Sequence, residues 1–165
     1  MPLNTLLTRH SRYYPEKLAV VFEEHRLSFA EFNRRVNRVA NALLGMGVGK
    51  ADKVATILSN SLEVLEIYQA VAKTGIVVVP LSPLLRGDGL SNLINDSDSV
   101  AVISSADLAP HLNEVRARLT SVANDRFILI DADLPGFRLY SDLTTAASDA
   151  EPPQTSIDRD DTFNI

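Results

Sequence analysis

Four short, unbroken apolar runs constrain this chain more than any other feature. They lie at residues 53–58, 76–79, 100–103 and 127–130. A strand with one wet face alternates apolar and polar residues. These runs do not alternate, which fits strands covered on both faces. Helical patterns stand between them. One starts at a cap on Asn60 or Ser61, runs to about Lys73 and ends at Gly75. A second lies near 88–95. A third spans 106–122, with Leu108, Leu112, Val115 and Leu119 turned inward. Strand–helix alternation of this kind predicts an α/β fold, a mainly parallel sheet flanked by helices with right-handed crossovers.

The N-terminal third prepares that sheet. Residues 3–13 read as a short helix. The β-like runs 19–22 and 26–29, separated by Glu23, Glu24 and His25, read as a hairpin. Ser28 followed by Glu31 is a capping box. It opens a helix whose apolar stripe is Phe29, Phe32, Val36, Val39 and Leu43. Arg34, Arg35, Asn37, Arg38 and Asn41 take its outer face, read as solvated. Gly45, Gly47 and Gly49 end it. From 141 to 161 the texture turns to Ser, Thr, Asp, Ala and Pro, with Pro152-Pro153 inside, and reads as an exposed connection. Residues 162–165 then start a strand-like run. The expected organisation is an α/β subdomain over 1–140, then a linker and the start of the next strand over 141–165.

Composition narrows the function classes. At 165 residues and 45% hydrophobic, the chain has material for one ordinary core. A net charge of -5 argues against a nucleic-acid surface. The absence of cysteine excludes disulfides, thiolate metal sites and cysteine nucleophiles. No window approaches the ~18 apolar residues of a membrane span. No basic and apolar leader opens the chain. The expectation is a soluble cytoplasmic protein.

Several motif-like stretches lose their chemical meaning in context. The glycines 45, 47 and 49 follow a helix and precede a strand, the reverse of a dinucleotide loop. Lys73-Thr74-Gly75 has no Ser-x-x-Lys or Ser-Asp-Asn to accompany it. It reads instead as a helix end, with a lysine offsetting the dipole. Gly87-Asp88-Gly89 feeds a helix without a phosphate-loop lysine. Asp158, Asp160 and Asp161 lack the spaced oxygens and distal Glu of a calcium loop. His10, His25 and His111 are scattered. Ser104 and Ser105 have no Gly-x-Ser-x-Gly around them. These residues assemble no catalytic or metal site.

The order of the middle segments resembles the adenylate-forming, AMP-binding enzymes. The helix entry Leu27-Ser28-Phe29-Ala30-Glu31-Phe32 is similar to their first core motif. Val36-Asn37-Arg38-Val39-Ala40-Asn41-Ala42-Leu43 and Gly47-Val48-Gly49-Lys50-Ala51-Asp52-Lys53-Val54-Ala55 continue it. Asn60-Ser61-Leu62-Glu63 and the run from Ala70 through Lys73-Thr74-Gly75 to Pro80-Leu81 resemble the second. Leu93-Ile94-Asn95-Asp96-Ser97 also fits. The resemblance is good over roughly residues 16–105 and looser beyond.

The resemblance implies the first part of the large N-terminal domain of an acyl-CoA synthetase or fatty-acid–CoA ligase. Such an enzyme joins a carboxylic acid to AMP, releases pyrophosphate, and passes the acyl group to coenzyme A. It implies ATP, Mg2+ and coenzyme A as cofactors of the full-length protein. It places the Ser/Thr/Gly-rich ATP loop just beyond Asp160-Asp161-Thr162-Phe163-Asn164-Ile165. Of this chain's own residues it offers only Leu81, Ser82, Pro83 and Leu84, as a lining of the coenzyme A channel. Arg86-Gly87-Asp88-Gly89 departs from the usual Pro- and Glu-rich helix start there. The implied role is scaffolding. The implied partners are the rest of the polypeptide and a carboxylic acid, with self-association through the uncovered face. The alternatives are a peptide-synthetase adenylation domain, a luciferase-like enzyme, or a non-enzymatic interaction module.

Overall fold

A 3-10 turn, Leu3–Thr5, leads into α1 (Leu6–Tyr13); the computed structural model describes residues 3–165. β1 (Leu18–Phe22) and β2 (His25–Ser28) form an antiparallel hairpin, as the two short runs predict. α2 (Phe29–Gly45) opens on the expected box. Ser28 Oγ accepts from the Glu31 amide at 3.3 Å, and Glu31 Oε2 accepts from the Ser28 amide at 2.8 Å. That satisfies two of the donors a helix start leaves unpaired. The chain leaves α2 through Gly47 at φ +75°, a conformation that side chains resist.

The alternating part follows: β3 (Lys53–Ile57), α3 (Leu62–Thr74), β4 (Val77–Pro80), α4 (Gly87–Asp96), β5 (Ser99–Ser104), α5 (Ala109–Val115), β6 (Phe127–Leu129), β7 (Arg138–Leu139) and α6 (Tyr140–Ala146). The sheet runs β4-β3-β5-β6-β7, and every neighbouring pair is parallel.

Successive residues of a strand point to opposite faces, and here both faces are dry. Val54, Val78, Ala101, Ile103 and Ile128 meet Val36, Val39, Leu43, Ile67 and Val71 from α2 and α3. Ala55, Ile57, Val102 and Phe127 meet Leu90, Ile94, Leu112 and Val115 from α4 and α5. This two-sided cover explains why the runs are unbroken. Each fully buried aliphatic or aromatic side chain here is worth about 1.5–3 kcal/mol.

Three local expectations change. The helix over 106–122 is shorter: 3-10 turns Ala106–Leu108 and Arg116–Arg118 bracket α5, and Leu119 is extended at φ -85°, ψ 120°. The Arg116 guanidinium lies 3.9 Å from the centre of the Phe127 ring and 4.7 Å from that of Phe137. It also donates to the Gly136 carbonyl at 2.7 Å. That stacking ties the end of α5 to β6 and to Phe137. The four predicted inward leucine and valine positions are nevertheless buried. Second, β7 and α6 appear where composition gave no signal, with Tyr140 only 7% exposed. Third, the outer face of α2 is covered at Arg35, Asn37, Arg38 and Asn41, as described below, while Arg34 stays exposed as expected.

The strand-like run at 162–165 does extend along the sheet. Asn164 bridges Val78 in parallel. The Val78 amide donates to the Phe163 carbonyl at 3.1 Å, and the Ile165 amide donates to the Val78 carbonyl at 3.2 Å. Phe163 meets Tyr68 edge-on at 6.0 Å.

Candidate functional site

Open parallel sheets take ligands outside the carboxyl ends of their strands, where the strand order reverses. Here β3 connects to β4 on one side, while β5 lies on its other side. The reversal therefore falls between β3 and β5. Their ends are tied together. Ser104 Oγ donates to the Ile57 carbonyl at 3.1 Å, and the Ile130 amide donates to the Ser104 carbonyl at 3.0 Å. Asp131 Oδ1 accepts from the Ala106 amide at 2.8 Å. Ser104 is thus a structural hydroxyl.

The Leu81–Leu84 turn leaves β4 at the same rim. The Leu81 amide donates to the Thr56 carbonyl at 2.8 Å, and its side chain packs on the α4–α5 layer. Ser82 Oγ accepts from the Leu84 amide at 3.2 Å. Arg86 donates to the Pro83 carbonyl at 2.6 Å. Leu84 stands 85% exposed. Leu81 is therefore half-buried against the core, while Ser82 and Leu84 are exposed on the rim.

The densest polar cluster lies elsewhere, on the face of α2 read as solvated. Lys73, in the last turn of α3, has a side chain only 4% exposed. Its ammonium donates at 2.7 Å to each of three oxygens: Asn33 Oδ1, Asn37 Oδ1 and Glu151 Oε2. An ammonium has three protons, and all three are used. Glu151 is equally well served. Its Oε1 accepts from Asn33 Nδ2 at 2.7 Å and from Asn37 Nδ2 at 3.3 Å; its Oε2 also accepts from Thr8 at 2.9 Å.

Burial lowers the Lys73 pKa, and the Glu151 carboxylate partly restores it. Burial would raise Glu151, but the bonds from Asn33 and Lys73 outweigh it and leave its pKa below the ordinary 4.5.

Arg38 and Asn41 extend the grip. Arg38 donates to the carbonyls of Thr145 and Ala147, at 3.2 and 2.9 Å. Asn41 donates to those of Ser148 and Ala150, at 2.8 and 2.9 Å. Asn37 Nδ2 reaches the Asp149 carbonyl at 2.9 Å. Asn33, Asn37, Arg38 and Asn41 thus make a docking stripe on α2 for residues 145–151. Lys73 does stand in the last turn of α3, as the helix-end reading expects, but its charge is also committed to a side-chain cage that the sequence reading did not foresee.

A second buried charge sits nearby. Glu66, 2% exposed, pairs with Arg35 and accepts from the Tyr140 hydroxyl at 2.8 Å. Burial raises its pKa, against the pull of Arg35. Burial and the neighbouring carboxylate push Tyr140 well above its usual range. Glu66 thus holds α6 onto α2 and α3. The sequence carried one faint signal for the Lys73 cluster, asparagines at positions 33, 37 and 41 where an ordinary wet face favours Lys and Glu, and none for the Glu66 cluster.

None of this is a cation cage. Among the described residues no group of three or more His, Asp or Glu stands together to hold a metal. Those residues therefore do not fit Mg2+. Also among the described residues, no helix is long and apolar enough to cross a membrane.

The sheet and its rim define an open, parallel α/β fold with helices on both faces. The chain belongs to the AMP-binding enzyme family, whose profile matches residues 7–165. It is 36% identical over 93 residues to long-chain-fatty-acid–CoA ligase FadD13 of Mycobacterium tuberculosis, covering 56% of this chain and 18% of that protein. It is 35% identical over 101 residues to a dimodular nonribosomal peptide synthase of Bacillus subtilis, covering 61% and 4%. The N-terminal domain of FACL13 from M. tuberculosis superposes with a TM-score of 0.83 at 26% identity, covering all of this chain and 41% of that one. The chain thus spans well under half the length of these relatives.

Proposed function

We propose that this chain forms the first α/β layer of the activating domain of an acid–thiol ligase. The full-length protein would join a fatty or aryl acid to AMP, release pyrophosphate, and transfer the acyl group to coenzyme A, using ATP and Mg2+. The likeness to a fatty-acid–CoA ligase supports the reading most directly. The layer supplies rigidity: its two dry faces fix the strand ends and the rim beside them.

ATP-binding backbone would follow the strand at 162–165, so residues 1–165 alone would be inactive. Residues 1–140 act as a subdomain, and 141–165 as the segment that carries the chain onward. Leu81, Ser82, Pro83 and Leu84 would line the coenzyme A path, with Leu84 the residue best placed to touch it. The protein would work in the cytoplasm, and the isolated piece would self-associate through the face meant for the rest of its polypeptide.

A peptide-synthetase adenylation domain is the second reading, favoured by the Bacillus relative. Pyrophosphate release from the full-length protein, measured over a panel of acids with and without coenzyme A, separates them. The ligase reading expects acyl-CoA from fatty or aryl acids. Activation of amino acids with no acyl-CoA formed would overturn it. Saturable MgATP binding by residues 1–165 would overturn the inactivity of the piece.

A further inference from the structure

Residues 152–161 contain no regular helix or strand, yet two anchors fix their path. One is Glu151, caged by Lys73, Asn33, Asn37 and Thr8. The other is Lys50, which pairs with Asp161 at 2.7 Å and donates to the Ser156 carbonyl at 2.8 Å. Between them Ile157 lies over Gly75, where an added Cβ would stand 3.5 Å from Ile157 Cγ1. Beyond the second anchor the chain pairs with Val78.

A buried ammonium is a demanding way to hold a loop, because desolvating it offsets much of its attraction. An exposed pair would hold the loop loosely. What the cage adds, with Lys73 buried and Glu151 open to water on one side, is a single geometry, since every proton of Lys73 and both oxygens of Glu151 are committed. Geometry matters downstream. A strand displaced by one residue turns every side chain to the opposite face. Phe163 would then leave Tyr68.

We propose that Lys73 is a positioning residue: through Glu151 it sets the path of 152–161, so that 162–165 meets β4 in one register. Its catalytic consequence rests on the ligase reading, in which that strand delivers the backbone that grips ATP. Asn33 and Asn37 are its supports.

The test uses Glu151→Ala, because Lys73 then keeps its two asparagine acceptors and no apolar core side chain is changed. The chain has no cysteine, so nitroxide labels at Glu114→Cys and Asp160→Cys report on one distance alone. The parent should give one narrow distance and Glu151→Ala a broad one, with Glu151→Gln partly restoring the narrow form. Exchange of the Val78 amide should quicken about tenfold in Glu151→Ala, roughly the loss of one good polar contact.

In the full-length protein, KM for MgATP should rise about tenfold in the same variant, with KM for the acid unchanged. An unaltered label distance overturns the positioning role. A broadened distance with an unchanged KM for MgATP overturns its catalytic consequence. An inert full-length parent overturns the ligase reading while the label result stands.

Discussion

Replacing Lys73 with Met tests the cage most directly, because Met fills a similar volume without the charge. Removing one member of a buried ion pair costs about 3–5 kcal/mol where the partner stays sealed from water. Glu151 is not sealed: its side chain is 44% exposed. Water would therefore recover its charge, reducing that contribution to at most ~1 kcal/mol. Asn33 Oδ1 and Asn37 Oδ1 each lose a donor, and both residues are at least nine-tenths buried. Each orphaned carbonyl costs about 1 kcal/mol at the low end of the usual range. Release of the lysine's own desolvation offsets part of the sum. The expected loss is about 2–3 kcal/mol, which for this length lowers Tm by about 4–12 °C. Urea unfolding followed by far-ultraviolet circular dichroism reads it. A loss below ~1 kcal/mol, or a gain, would mean that apolar packing serves as well as the cage, and the reasoning would fail.

Three smaller perturbations probe neighbouring parts. Tyr140→Phe removes a donor from the buried Glu66 and should destabilise by about 1–2 kcal/mol, measured by the same urea titration. Gly75→Ala forces a side chain into φ +73° and puts its Cβ 3.0 Å from Lys50 Cγ; a loss of about 1 kcal/mol and faster exchange at Val78 are expected. Glu151→Gln should alter the pH profile. The Glu151 pKa is lowered by folding, so its stabilisation is present above 4.5 and is lost as pH falls through the folded value. The advantage of the parent over this variant in urea midpoint should therefore shrink below pH 4.5.

The sheet was legible because burial on both faces leaves a plain mark, four apolar runs without alternation. The start of α2 was legible because its cap uses two residue types at fixed spacing. The cage was not. Asparagine and arginine on a helix look the same whether they meet water or the carbonyls of residues more than a hundred positions away. Lys73 likewise matches two descriptions, a dipole partner and a buried cation, and only the arrival of Glu151 decides between them. α5 was overestimated because Leu119 keeps the helical spacing although the chain tightens to a 3-10 turn over Arg116–Arg118 and is extended at Leu119 itself. Of the proposed channel lining, its position at the rim was legible from the strand end at Pro80, but not the partial burial of Leu81 against α4 and α5.

The docking of residues 145–151 on α2 also bears on synthesis. The contacts of Asn37 and Asn41 span sequence separations of 107 to 114 residues. A ribosome adding ~5–20 residues per second leaves that helix surface bare for several seconds after it emerges. Closing so long a loop also carries an entropic toll that grows only with the logarithm of its length. The nascent chain should therefore settle its sheet first and fasten its last segment late.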